Sequence, residues 1–328
     1  MIKKIIAASA ALALLSHPVI GLTKDAVSPD HYVVSVAHPA YPKGSGPRVL
    51  IDEAHHNFST MEGRLKAFAD LLADDGARVA PLRQPLSAKS LAQADVLVIC
   101  NALNEKNARE KKTEDKWELP APEAFTDEEI KALDQWIKAG GSLLLIADHM
   151  PFPGAVEKLG SSLGVVMQDN FAFAADFTYK PGDMNLITFA RDPARPDGDR
   201  LYWPPVVDGS KANERVPYVV TFTGSAFRMK PGVAFSPVME LGEGTKIAWP
   251  SNHIDISIKT PFAAGVGLYQ GVVLPFGSGR VGVFGEAAMF SIAYAEWAHN
   301  YPMGFQNPKA QYNKRFILDL FHWLARRQ

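Results

Sequence analysis

Short, continuous apolar runs alternating with amphipathic stretches set the rhythm of the first half of the chain. Val49-Leu50-Ile51 inside Arg48–Asp52, then Arg78–Pro81, Ala94–Cys100 and Ser142–Ala147, read as strands. None shows the in–out alternation of a half-exposed strand, so they suit strands covered on both faces, as in a parallel sheet. Between them, Leu65, Phe68, Leu71 and Leu72 recur at helical spacing and predict a helix near Met61–Asp74, closed by Gly76. A second helix starts at Thr126, where Glu129 three residues on completes a capping box. It carries Ile130, Leu133, Trp136 and Ile137 on one face and stops at Gly140-Gly141. A third, Ala155–Leu163, precedes a strand Val165–Met167. The charged stretch Asn104–Lys116 has no apolar period and reads as a solvated loop.

Strand and helix in alternation, with short connections, make βαβ units whose right-handed crossovers put helices on both sides of one open, mostly parallel sheet. The texture changes between about Asp169 and Gly271, where Pro, Gly and aromatic residues are frequent and Val216–Phe222 and Lys246–Trp249 look like strands. This is read as a β- and loop-rich insertion. Alternation resumes with Gly279–Phe284 and the amphipathic helix Asn313–Ala325. The domain therefore spans 47–328, behind a Pro- and Gly-containing lead over 22–46.

The chain has 328 residues, 47% of them hydrophobic, with a formal net charge of −1. That is ample for a large core, and it supplies no field that would attract nucleic acid or an anionic membrane. Lys3-Lys4, the apolar run Ile5–Leu15 and the looser Ser16–Gly21 form a secretory signal peptide over 1–21, so a periplasmic or secreted location is expected. No later segment is apolar for long enough to span a bilayer, and no stable membrane span is expected after signal removal. Cys100 is the only cysteine, which rules out an internal disulfide, and its place at the end of an apolar run marks a structural thiol.

Ligands of open parallel sheets sit beyond the carboxyl ends of the strands. Asp52, Glu53, His55, His56 and Asn57 follow the first strand, Asp148 and His149 follow Ser142–Ala147, and Glu286 follows Gly279–Phe284. Two chemistries suit such a cluster. One is a divalent metal whose bound water loses a proton near neutrality. The other is metal-free acid–base catalysis by a pair such as His149 with Glu286. The sequence requires no cofactor, and neither H-E-x-x-H nor C-x-x-C is present. Taken singly, Asp52 or Asp148 is a turn cap, His55 and His56 are hydrogen-bonded supports, and Glu286 caps a short helix over Ala287–Ala293. Gly160-Ser161-Ser162-Leu163-Gly164 matches G-x-S-x-G, but the strand–turn–helix order of a nucleophile elbow is reversed there. Ser251, Asn252, His253 and Asp255 form a polar knot after Lys246–Trp249 that reads as turn chemistry, with a contribution to the pocket as the alternative. Tyr202, Trp203, Tyr269, Trp297 and Tyr301 either line a sugar surface or pin loops to the core.

Val49-Leu50-Ile51-Asp52-Glu53-Ala54-His55-His56-Asn57, Gly140-Gly141-Ser142-Leu143-Leu144-Leu145-Ile146-Ala147-Asp148-His149 and Gly285-Glu286-Ala287-Ala288-Met289-Phe290 together resemble the blocks of an uncharacterised bacterial family in the class I glutamine amidotransferase-like superfamily. The resemblance covers about 47–170 and 279–325 and implies a flavodoxin-like sheet. It departs from the glutaminases at the catalytic centre. Asp148 and His149 stand where they carry a Gly-rich elbow with a nucleophilic Cys, and Glu286 lacks its His-x-Glu partner, so Cys-dependent glutamine hydrolysis is not expected.

The expected function is that of an exported hydrolase acting on a small polar or carbohydrate-derived substrate. His149 serves as base or metal ligand, Asp148 and His55 are orienting groups or ligands, Glu286 is its acid–base partner, and Asn57, His56 and Asp52 face the substrate. The alternative is a non-catalytic periplasmic module holding a ligand or scaffold partner at the same edge. No motif specifies an oligomeric state.

Overall fold

A computed structural model describes residues 25–26, 32–177, 184–191, 198–202, 216–251, 256, 260–295 and 298–326. The signal segment, Trp203, Trp297 and the Asn252, His253 and Asp255 part of the polar turn lie outside the described residues. Strands of the main sheet are β1 (Arg48–Asp52), β2 (Arg78–Leu82), β3 (Val96–Cys100), β4 (Ser142–Ile146), β5 (Ile187–Ala190), β6 (Arg200–Leu201), β7 (Tyr218–Thr221), β8 (Ser236–Glu240), β9 (Tyr269–Phe276) and β10 (Gly279–Phe284). The longer helices are α1 (Lys66–Asp74), α2 (Asp127–Lys138) and α3 (Asn313–Leu324).

The sheet runs β7-β5-β6-β8-β9-β10-β4-β3-β1-β2. Its half from β10 to β2 is parallel throughout. In order of appearance these strands are arranged 2-1-3-4-5, the flavodoxin-like order, with the topological switch between β1 and β3. The insertion does not stand apart. β5 to β8 continue the same sheet, and β8 and β9 join it to β10 by antiparallel pairs.

Every residue of β3 and β4 is buried. Val96, Val98, Cys100, Leu144 and Ile146 enter one core with α1 and α3, while Leu97, Ile99, Leu143 and Leu145 enter the other with α2. Full burial on both faces is why these strands read as unbroken apolar runs. Each such side chain contributes about 1.5–3 kcal/mol on leaving water.

Four expectations change. The helix near Met61–Asp74 is regular only from Lys66. Val165–Val166 pairs with Arg228–Met229 outside the main sheet, and Lys246–Ala248 belongs to a small sheet with Phe171–Phe173 and Phe262–Ala264. Asn104–Lys116 is not merely a solvated loop. It forms two short turns, Glu105–Asn107 and Glu114–Lys116, around buried Asn107, which bonds both ways to Glu118. A polar side chain serves as its packing centre, and an apolar period does not report that.

The lead packs onto the domain. Asp75 accepts the Ala40 N–H at 2.7 Å and faces His322 of α3 at 2.6 Å, joining three distant segments. Among the described residues no helix is long and apolar enough to cross a membrane.

Candidate active site at the carboxyl edge of the sheet

β3 ends in Cys100, and the chain then turns through Asn101 with φ +49°. Asn tolerates this left-handed backbone because its short amide bonds locally. From here Asn101 binds both neighbouring strand tips. Its carbonyl accepts the Phe58 N–H at 2.8 Å, and its Oδ1 accepts the Asp148 N–H at 2.9 Å.

Asp148 follows β4. Its Oδ1 accepts the His149 N–H at 2.7 Å, and its Oδ2 lies 3.4 Å from the Ala287 N–H. The His149 ring stacks on Phe171, centroids 4.7 Å apart, and its Nδ1 lies 2.9 Å from the Met150 carbonyl oxygen. Glu286 is fully buried and caps the turn Ala288–Phe290, accepting the Ala288 and Met289 N–H groups. Burial, and then the nearby Asp148 carboxylate, raise the Glu286 carboxyl well above the usual range, against the pull of its N–H donors.

The three strand tips therefore meet, but not as the anticipated acid–base pair. The ring of His149 bonds to Met150 and stacks on Phe171, while Glu286 spends its oxygens on backbone N–H groups. The physical reason is the turn after β10, whose donors need an acceptor inside the fold.

The residues after β1 are likewise turned inward. His55 lies between Asp52 and Glu129 of α2, Nδ1 2.9 Å from Asp52 Oδ1 and Nε2 2.9 Å from Glu129 Oε1. These residues are 6%, 0% and 9% exposed respectively. Asn57 donates to Asp52 Oδ2 at 3.0 Å. Burial alone would depress His55, but Asp52 and then Glu129 outweigh it and raise its pKa. His56, on a φ of +43°, points the other way and pairs with Glu110 at 2.8 Å. Of the seven residues chosen from sequence, Asp148 and His149 line the cleft; Asp52, His55, Asn57 and Glu286 are buried outside its lining, and His56 faces Glu110.

The cleft has room for about 60 Å³ beside Asn101, Asp148 and His149. That admits a few waters or one small polar group, well below the roughly 300 Å³ at which sites for larger ligands begin. Phe58, Trp117 and Phe152 form an aromatic wall, with centroids 5.3–6.4 Å apart. Arg64 and Arg109 each sit over Phe58, at 4.2 and 4.1 Å. Glu114 comes from the charged loop and Trp117 directly follows it, so this segment closes one side of the cleft.

Thr223 of the insertion closes another, with φ +83° in a region a β-branched residue rarely occupies. Gly224 beside it has φ +82°, and a Cβ there would stand 2.4 Å from the Gly285 oxygen. Ser225 Oγ donates to the Ala147 carbonyl at 2.9 Å. The insertion is thereby latched to the tips of β4 and β10.

A wider hollow of about 590 Å³ lies at the opposite edge, framed by Arg78, Asp95, Trp136 and Arg326. It opens at the amino ends of the strands, and its acid is already engaged, since Asp95 pairs with Arg48 at 2.7 Å. The smaller cleft is the better placed. Glu123 and Asp169, raised by burial to about 7 and about 6, cap backbone N–H groups at Lys158 and Gly154 outside the cleft. Cys100 is sealed in β3 and burial drives its thiol far above its ordinary value, the reverse of what a nucleophile needs. Among the described residues no three His, Cys, Asp or Glu side chains gather in a way that could hold a metal ion.

Asn101, Arg64 and Thr223 carry no sequence motif. An Asn directly after a buried strand was the available signal for the first, and nothing local marked the others.

No family model and no curated protein matches this sequence. Among solved structures, the mmIFT52 N-terminal domain superposes with a TM-score of 0.53 at 12% identity, covering 85% of this chain and 97% of that one. A protein described as ThuA-like, from Bacteroides uniformis ATCC 8492, gives 0.46 at 12%, covering 89% and 94%. The exo-beta-1,4-mannosidase Op5Man5 from Opitutaceae bacterium strain TAV5 gives 0.37 at 13%, covering 85% of this chain and 36% of that enzyme. The likeness is one of fold. Function has to be argued from the cleft itself.

Proposed function

We propose that the cleft is the active site of an exported hydrolase acting on a small polar or carbohydrate-derived substrate. The observation that carries this reading is the hydrogen bond from His149 Nδ1 to the Met150 carbonyl. A carbonyl oxygen only accepts, so Nδ1 bears the proton and Nε2 is left as the ring's basic nitrogen. Stacking on Phe171 holds the ring in place, and a fixed base loses little entropy on reaction. His149 takes a proton from the attacking water and returns it to the leaving group.

The mature chain from residue 22 onward, its expected N-terminus after export, is screened against nitrophenyl esters, nitrophenyl glycosides and small amides. His149→Gln should lower the rate by about 10²–10⁴-fold with an unchanged melting temperature. Wild-type turnover in that variant overturns the reading. One observation favours the second reading, a binding or scaffold module: Glu286 and His55 are sealed away from any substrate. Ligand-induced thermal stabilisation without turnover on the whole panel would decide for it. Export is tested by sequencing the N-terminus of the protein recovered from cell fractions and medium.

A further inference from the structure

Asn101 is 2% exposed and lines the cleft. Its N–H donates to the Ile146 carbonyl at 2.9 Å, and its carbonyl accepts from Phe58. Its Oδ1 accepts from Asp148 N–H. That contact fixes which way the amide faces, because a backbone N–H can only donate and must meet the oxygen. Nδ2 is left, and among the described residues it has no hydrogen-bonded acceptor. Nδ2 is not among the sealed polar atoms, so it opens on the cleft, where water or a ligand receives it. Asn101 also follows β3, on the strand that borders the topological switch, where this sheet order opens a crevice.

We propose that Asn101 Nδ2 is the hydrogen-bond donor of this site and that it receives a carbonyl oxygen, so the substrate is a small acyl compound, an ester or amide. This rests on the hydrolase reading and narrows it. A cleft of about 60 Å³ takes an acyl group but not a whole sugar ring. Asn101 and His149 flank Asp148, one through its side-chain oxygen and one through its main chain. Water adds to the carbonyl carbon, the carbonyl π pair moves onto oxygen, and the water's proton passes to His149 Nε2. The carbon–leaving-group bond then breaks as that proton moves to the departing oxygen or nitrogen. Asn101 meets the charge that grows on the carbonyl oxygen, as a preset donor does in an oxyanion hole.

The test uses the ¹⁵N-labelled mature chain. The Asn101 side-chain amide resonances, assigned by their loss in Asn101→Asp, are followed while acetamide, sodium acetate or methyl α-glucoside is added. Acetamide should shift them saturably. Asn101→Asp keeps the acceptor for Asp148 and removes the donor, and Asn101→Gly suits the positive φ and removes the side chain. Both should lower kcat on the best ester or amide by about 10²–10³-fold with little change in KM. Variants within about threefold of wild type overturn the assignment, as do resonances that answer only to the glucoside. Shifts with acetamide but no turnover on the whole panel leave the donor standing and sink the hydrolase reading. Turnover indifferent to both substitutions does the reverse.

Discussion

Replacing His55 with alanine removes a cation from between two carboxylates that the fold keeps out of water. Asp52 and Glu129 each lose a contact of 2.9 Å. They are not left bare, since Asp52 keeps the Asn57 amide at 3.0 Å and the Ala54 N–H at 3.2 Å, and Glu129 keeps the Leu86 N–H at 3.0 Å. Breaking a buried pair from one side costs about 3–5 kcal/mol, and these remaining donors put the loss near about 3. The ring's contact with Phe125, centroids 4.2 Å apart, adds about 1 kcal/mol. A total of about 4 kcal/mol is a large share of the roughly 5–15 kcal/mol that holds a domain together.

The pH dependence of this loss has a defined sign. His55 is raised, so its contribution is complete below the ordinary histidine value and fades as pH climbs through the folded value. Glu129 resists burial through its bonds to Thr126 and His55 and is lowered, so its contribution is complete above the ordinary carboxylate value and fades as pH falls through the folded one. The gap between wild type and His55→Ala should peak between the carboxylate and imidazole ranges and narrow on both sides. Urea unfolding followed by tryptophan fluorescence from about pH 4 to about pH 9 measures it. A gap below about 1 kcal/mol, or one flat with pH, refutes a charged imidazole clamped between the two acids.

Glu286→Gln should flatten the pH profile of stability. The raised carboxyl contributes stability that is present below its ordinary value and lost as pH rises through the folded one, and a neutral amide has nothing to lose; identical profiles from about pH 5 to about pH 8 would contradict this. Gly224→Ala should destabilise by at least about 2 kcal/mol, from positive φ and the 2.4 Å approach to Gly285, which melting temperatures check. His56→Ala frees Glu110, and with it the charged loop, from the segment after β1 at a cost under about 1 kcal/mol, because the pair is largely solvent-exposed, and should speed amide exchange over residues 104–118. Ellman's reagent should leave native Cys100 untouched and titrate it fully only in denaturant.

The sequence alone determined the layered architecture. Burial on both faces leaves an unbroken apolar run in β3 and β4, helical burial leaves a 3.6-residue period in α1, α2 and α3, and a capping box is a local contact between Thr126 and Glu129. It also determined which strand tips carry acids and imidazoles. Tertiary structure decided which of these groups face a ligand. Glu129 shows why: its cap is written three residues away, but its other oxygen meets His55, 74 positions distant, and no pattern along the chain encodes that partner. Glu286 was drawn to the nearest N–H donors, and Asn101 was pressed into a left-handed turn whose amide has one free end. Those outcomes depend on how loops far apart in sequence satisfy each other's polar groups once water is excluded, and only the assembled edge of the sheet settles them.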